Sequence, residues 1–257
     1  MSKRMFVLGL VFLFVLTLAG DAFAKPVKLE YNLAKGDSAK YLIKMDSKTS
    51  IGYQTKIEKI DIQSSMAMVQ RVIDRDEKEG TMYLLTSIED VKSTVNGMPV
   101  DPAQNKTAEK VFTMHIKPSG EIVDAQGLQT EMSMQQMQLS FPNKPVDVGT
   151  RWEHTIPANK EIKVPLLMKY EVVGFKTVDG HECAVIKSNV VSAPKEKTQE
   201  SLDVKADGEI VFAYTEGKIV ENKVTGTFGS VSIQDIGGQP QPIVTKVEIK
   251  LEMKLGK

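Results

Sequence analysis

Three histidines, His115, His154 and His181, are the side chains best suited to proton transfer or metal ligation near neutral pH, and they stand far apart in the chain. No pair has zinc-site spacing, and no His-Glu-x-x-His motif occurs. Neither a Gly-x-Ser-x-Gly turn nor a phosphate-cradling glycine loop is present. Ser192-Ala193-Pro194-Lys195 has the Ser-x-x-Lys spacing of acyl-serine enzymes. That motif opens a helix, whereas here Pro194 follows a strand pattern and no Lys-Thr-Gly partner exists. Asp74-Arg75-Asp76-Glu77-Lys78-Glu79-Gly80 brings carboxylates together, but a calcium loop needs Glu at its twelfth position, which is Leu85. The run reads as a solvated hairpin tip. Cys183, the only cysteine, excludes an intrachain disulfide and reads as a buried thiol in the strand His181–Ile186. These residues predict no catalytic set, no metal and no cofactor, hence a non-enzymatic protein. A scattered constellation such as His154 with a carboxylate is the enzymatic alternative.

Methionine supplies a different chemistry, adaptable apolar contact. Leu128–Leu139 contains Met132, Met134 and Met137, has no glycine or proline, and is rich in helix formers. A helix there places Leu128, Met132, Gln135 and Leu139 on one face and Met134 and Met137 roughly opposite, ending at Phe141-Pro142-Asn143. Met45, Met114, Met168 and Met253 fall on the apolar faces of strand-like runs. A sheet with an apolar concave side, covered by this helix, could hold a lipid-like ligand, with Met132, Met134, Met137, Leu139, Phe141 and Trp152 as candidate lining residues. Ordinary core filling is the plainer alternative. Trp152, the only tryptophan, can equally anchor a turn.

The elements that must position these residues are strands. Val247, Ile249, Leu251, Met253 and Leu255 alternate with Lys246, Glu248, Lys250, Glu252 and Lys254. One face is therefore apolar and the other charged, the mark of a half-buried antiparallel strand. Val27 to Leu33 and Phe112 to Ile116 repeat the pattern. Turn signals separate the runs: Lys35-Gly36-Asp37, Asn96-Gly97, Pro118-Ser119-Gly120, Asp179-Gly180, Asp207-Gly208, Glu216-Gly217 and Gly237-Gly238. Asp207-Gly208 lies inside an apolar-alternating run and reads as a turn or a bulge. The runs and turns together predict roughly twelve to fourteen strands. The predicted fold is mainly β: long antiparallel sheets, curved as a half-barrel or built as two duplicated units, with one or two short covering helices. The second helix would start at Asp101-Pro102.

Lys35-Gly36-Asp37, Val72-Ile73 and Phe112–Val123 resemble Val148-Gly149-Thr150, Val172-Val173 and Phe212–Val220. These pairs suggest an internal duplication, about 27–127 and 146–255, joined by the methionine-rich segment 128–139. Residues 1–24 read as a cleaved signal peptide: Lys3 and Arg4, an uncharged run Met5–Gly20, then Ala22-Phe23-Ala24; an uncleaved membrane anchor is the alternative, for which the 16-residue run is short. The expected mature chain, Lys25–Lys257, is periplasmic or extracellular and has no transmembrane span. Its charges nearly cancel, since the chain's 33 basic and 33 acidic residues lose Lys3, Arg4 and Asp21 to leave 31 and 32. That balance gives no reason to expect nucleic acid as a partner. An apolar small molecule or another envelope protein is the expected partner.

The runs Leu29-Glu30-Tyr31 to Gly36 and Tyr41, Ile116–Ile122, and Phe141-Pro142-Asn143-Lys144-Pro145-Val146-Asp147-Val148-Gly149-Thr150-Arg151-Trp152, followed by Tyr170-Glu171-Val172, resemble a family of uncharacterised exported bacterial β-proteins. The resemblance spans nearly all of the mature chain and rests on turn and core residues. It implies a fold and no reaction or functional residues. Where the usual form reads Gly-Asp-x-Trp, this chain has Gly149-Thr150-Arg151-Trp152. More distantly, the pattern resembles the bacterial lipoprotein-carrier half-barrel, whose apolar concavity holds acyl chains, a likeness of fold.

Overall fold

The computed structural model describes residues 26–53, 56–101, 110–127, 139–158, 164–192, 201–236 and 239–256. Residues 1–24, the methionine-rich stretch 128–138 and 102–109 of the second expected helix lie outside them. The described residues form twelve strands and no helix. These are β1 (Ser38–Tyr53), β2 (Lys56–Arg75), β3 (Met82–Val95), β4 (Met98–Pro99), β5 (Val111–Ile116), β6 (Ile122–Gln126), β7 (Arg151–Ile156), β8 (Leu166–Val178), β9 (His181–Ser192), β10 (Ser201–Ala213), β11 (Lys218–Ile236) and β12 (Gln239–Leu255). All join one open antiparallel sheet in the order β6-β5-β3-β2-β1-β12-β11-β10-β9-β8-β7, with β4 beside β3. Two meanders thus meet at the β1–β12 pair.

The sheet must curl strongly. Val27 pairs with Val146, just before β7, and the Tyr31 amide donates to Pro118 between β5 and β6 (2.9 Å). Four residues of extended chain reach at most about 14 Å. From β5 to β7 a flat sheet of this order would measure about 43 Å, at roughly 4.8 Å per spacing. The N-terminal segment therefore crosses the mouth of a curved sheet and closes one end of it. Arg75, at the end of β2, grips the segment with Nη1 on the Leu33 carbonyl (2.9 Å) and Nη2 on Asn32 Oδ1 (3.0 Å). The turn before β11 presses on it as well. A Cβ on Gly217 would lie 2.3 Å from the Asn32 nitrogen, and φ there is +66°, so only glycine fits without movement.

Beneath this plug lies one continuous core. Leu29, Tyr31, Phe112, Met114, Phe141, Leu166, Ile186 and Phe212 are all buried in it, with contributions from both meanders. Tyr31, Phe141 and Phe212 form its centre, with ring centroids 4.5–5.6 Å apart. Offset and edge packing of this kind adds to the burial term.

The two meanders share backbone detail. The Gly36 amide donates to the Val72 carbonyl, and the Val72 amide to the Asp37 carbonyl. Gly149, Val172 and Thr150 repeat this pair of bonds. Each valine is followed by a bulge, between Val72 and Asp74 and between Val172 and Gly174. Further bulges fall at His115/Ile116 and Val211/Phe212, after which Ile116 faces Ile122 and Phe212 faces Ile219. Asp207-Gly208, by contrast, is neither turn nor bulge. Gly208 pairs in register with Ser188 and Val224 in mid-strand, where a Cβ would meet Ser188 Oγ at 2.5 Å. The glycine is there for close approach, a need that sequence pattern does not distinguish from a turn.

Candidate functional site

Trp152 on β7 stacks on Tyr170 of β8 (centroids 5.2 Å apart, planes at 21°), and its Nε1 donates to the Ser140 carbonyl at 2.7 Å. It thereby ties the chain after residue 138 to the sheet. Leu139 and Phe141, on the tied stretch, are buried in the core. The structure thus brings Leu139, Phe141 and Trp152 together at one end of the sheet's inner side, as packing and an anchor. Met132, Met134 and Met137 lie outside the described residues.

A small, partly open space beside Leu139, lined among others by Met168, Tyr170, Val190, Ile210 and Asn222, measures about 70 Å³. That is room for about two waters, against the 300 Å³ or more of ordinary ligand pockets. Asn222 is buried there, and its Oδ1 has no protein partner. Burial pushes the hydroxyls of Tyr31, Tyr41 and Tyr170 well above the usual tyrosine range, so they stay neutral.

Beyond the plug the inner side changes character. Met45, Ser47 and Thr49 of β1 face Leu251, Ile249 and Val247 of β12, which in turn face Val224, Gly226 and Phe228 of β11. Gly226 faces Ala206, and Ala206 faces Val190. This surface is apolar and nearly uncharged, yet Met45, Val190, Phe228, Val247, Ile249 and Leu251 are only partly buried. The methionine pattern pointed instead to 132–141. What singles out these residues is strand length: β1, β2, β11 and β12 have 16, 20, 19 and 17 residues, longer than the plug covers.

The outer side is a lattice of charge. Lys44, Glu252, Lys223, Glu209, Lys187, Glu171 and Arg151 follow one another across seven strands, alternating in sign. Signs also alternate along β12, where Lys246 binds Glu248 and Lys250 binds Glu252 (2.8 and 2.9 Å). Such a surface is well solvated and presents no net field. Open grooves of about 710 and 690 Å³ lie over parts of it, beside Arg151 and Lys223 and beside Lys44 and Asp46.

The groups able to do chemistry are dispersed; several make local contacts, while the buried His115 Nε2 and Glu216 Oε2 have no hydrogen-bond partner. His181 Nδ1 meets Glu216 Oε1 at 2.8 Å, and this hydrogen bond holds the Glu216 carboxyl below its ordinary range. The buried Cys183 thiol donates to the His181 carbonyl (3.3 Å), while desolvation and then the Glu216 charge push its pKa up, the opposite of an activated thiolate. His115 stacks on Tyr83 at 4.0 Å, and His154 faces Met168 across the β7–β8 pair. Asp76 Oδ1 accepts from the Lys78 and Glu79 amides, as a hairpin-tip aspartate does. Ser192 Oγ accepts from the Val204 amide, and Lys195 lies outside the described residues. Among the described residues no group of three or more His, Cys, Asp or Glu is placed to hold a metal ion. Among them, too, no helix is long and apolar enough to cross a membrane.

No family model matches the chain, and no curated protein does. Among solved structures, it is similar to a protein described as exported, with a YmcC-like fold, from Bacteroides fragilis NCTC 9343: 12% identity, 89% of this chain and 99% of that one covered, TM-score 0.29. It is also similar to a DUF1329 family protein from Desulfovibrio piger ATCC 29098: 14% identity, 83% and 85% covered, TM-score 0.15. Neither neighbour has a stated activity, so the function of this chain has to be read from its own residues.

Proposed function

We propose that this chain is an exported, non-enzymatic binding protein that holds an apolar, lipid-like molecule along the inner side of β1, β12, β11 and β10, beyond the plug. The observation that carries the reading is the partly exposed apolar surface from Met45 to Val190. Inner positions at the plugged end are sealed, whereas these keep contact with solvent on a concave side. An acyl chain laid there would remove apolar area from water at about 25 cal/mol per Å². The space beside Leu139 is too small for such a ligand, so the long strands, and not the Trp152 corner, are its seat. The engaged state of His181, Cys183 and Glu216 supports a non-enzymatic role. Export rests on the signal-like residues 1–24. The curved open sheet also resembles half-barrel lipid carriers, an analogy of fold.

Purification under native conditions, organic extraction and mass spectrometry test the reading. Recovery of a stoichiometric lipid, lost on Ile249→Asp, is expected. Recovery of nothing, together with no uptake of a fluorescent fatty acid, would refute it. The second reading, an envelope-protein interaction module, has a specific obstacle at the sheet edges. Edge strands β6 and β7 are five and six residues long, a length that disfavours strand addition.

A further inference from the structure

Two polar side chains interrupt the apolar inner side where the plugged end gives way to the open one. Ser188 of β9 faces Gly208 of β10, which in turn faces Val224 of β11. The Ser188 Oγ takes up the room that a side chain at Gly208 would need, 2.5 Å from the place of a Cβ there. Asn222 faces Ile210 and Met253, is 8% exposed, and leaves its buried Oδ1 without a hydrogen-bond partner. Both side chains line the partly open space of about 70 Å³ beside Leu139. Val190, Ala206 and Val224 line it too, and the same three belong to the apolar surface of the long strands. The space is therefore the inner end of that surface, not a separate cavity. A third polar group at its wall, the Tyr170 hydroxyl, already donates to Met168 Sδ at 3.5 Å.

We infer that this end of the surface seats one small, neutral hydrogen-bonding group of the bound molecule, a hydroxyl or a carbonyl, against Asn222 and Ser188. The inference rests on the binding role proposed above and specifies which ligands fit it. Such a ligand lies with its polar end toward the plug and its chain along Ala206, Gly226 and Ile249. A buried amide oxygen without a partner costs free energy, which one incoming donor recovers. A half-turn of the Asn222 amide presents its NH2 instead, so a carbonyl is served as well as a hydroxyl. The lining disfavours a charged head. Among the described residues no lysine, arginine or histidine borders the space, and Asp207 turns its carboxylate to the outer side, where it accepts from Asn189 Nδ2 at 3.0 Å. An anionic head would lose its hydration there with no cation in return. Size disfavours phosphate-bearing heads, since the volume of about two waters holds one functional group. The expected class is a long-chain alcohol or a small ester.

The test is displacement of diphenylhexatriene, a hydrocarbon fluorophore, from the delipidated chain by 1-dodecanol, dodecane, laurate and dodecylphosphocholine, each below its micellar concentration. Diphenylhexatriene binding reports the apolar surface alone. 1-Dodecanol is expected to displace it at about tenfold lower concentration than laurate or dodecylphosphocholine. Ser188→Ala should weaken 1-dodecanol about fivefold and Asn222→Leu about tenfold, each leaving dodecane and diphenylhexatriene unchanged. Thermal unfolding monitors both variants, and Ser188→Ala, the loss of one hydroxyl, carries the test alone if Asn222→Leu does not fold. Displacement by laurate or dodecylphosphocholine as strong as by 1-dodecanol, or an alcohol affinity that the folded variants do not lower, would overturn the inference. Asn222 would then hold buried water only, and the binding role would stand on the diphenylhexatriene signal. No diphenylhexatriene binding at all would sink the binding role and this inference with it.

Discussion

The two ends of this curved sheet obey the same alternation and reach different outcomes. At the plugged end, inner residues such as Val72, Ile116, Val172, Ile186 and Phe212 are sealed by the segment 26–34 and by Leu139 and Phe141. At the open end, inner residues of equal hydrophobicity, Val247, Ile249 and Leu251, stay partly in contact with solvent. Apolar alternation thus specifies which side a residue faces, and coverage decides whether it becomes core or stays in contact with solvent. Stability should reside at the plugged end, and the proposed ligand contact at the open one.

Substitutions can break that contrast. Phe212→Ala, at the aromatic centre, should cost about 3–5 kcal/mol in urea unfolding and destabilise the whole sheet. If the transition barely moves, the plug is not the folding core. Ile186→Ala and Ile249→Ala sharpen the comparison directly. The first should cost about 2–5 kcal/mol and the second about 1 kcal/mol or less, with the second alone reducing ligand retention. Gly217→Ala places a methyl against the Asn32 backbone in a left-handed conformation and should cost about 1–3 kcal/mol, read as a lower Tm and faster proteolysis of residues 26–34.

A smaller effect comes from acid. The Glu216 carboxyl lies lower in the folded chain than its ordinary 4.5 because of the His181 hydrogen bond. Its contribution is present above that value and is lost as pH falls through the folded pKa. Glu216→Gln should flatten the acid limb of a stability–pH profile, and an unchanged limb would assign it to other carboxylates. The smallest effect belongs to the outer lattice. Glu252→Lys sets like charges beside Lys44 and Lys223, so a slight loss of Tm at low ionic strength should vanish in salt.

That lattice also bears on register. Slipping a strand by one residue would turn its apolar side to water. Slipping by two preserves the sides, and hydrophobicity cannot oppose it. The charges can: moved by two, Lys223 would face Lys250 or Lys254 in place of Glu252.

The alternation in Val247–Leu255 and the turn signals Asn96-Gly97 and Asp179-Gly180 are legible locally, because side-chain direction and positive φ are properties of a few consecutive residues. Gly208 looks like a turn or bulge in sequence and is neither, because the contact that requires a glycine comes from Ser188, twenty residues earlier. Trp152 is recognisable in sequence as an anchor or a platform only in kind; its partners, Tyr170 and the Ser140 carbonyl, arrive from two other segments.

By itself the sequence determined an antiparallel β protein with a charged and an apolar side to its strands, since each residue's side follows from its place in a period of two. The tertiary structure decided that two meanders join at β1 and β12, that an N-terminal segment spans the curved sheet, and that the long strands run past it. Those outcomes depend on contacts between residues far apart in the chain, whose distances no local pattern encodes.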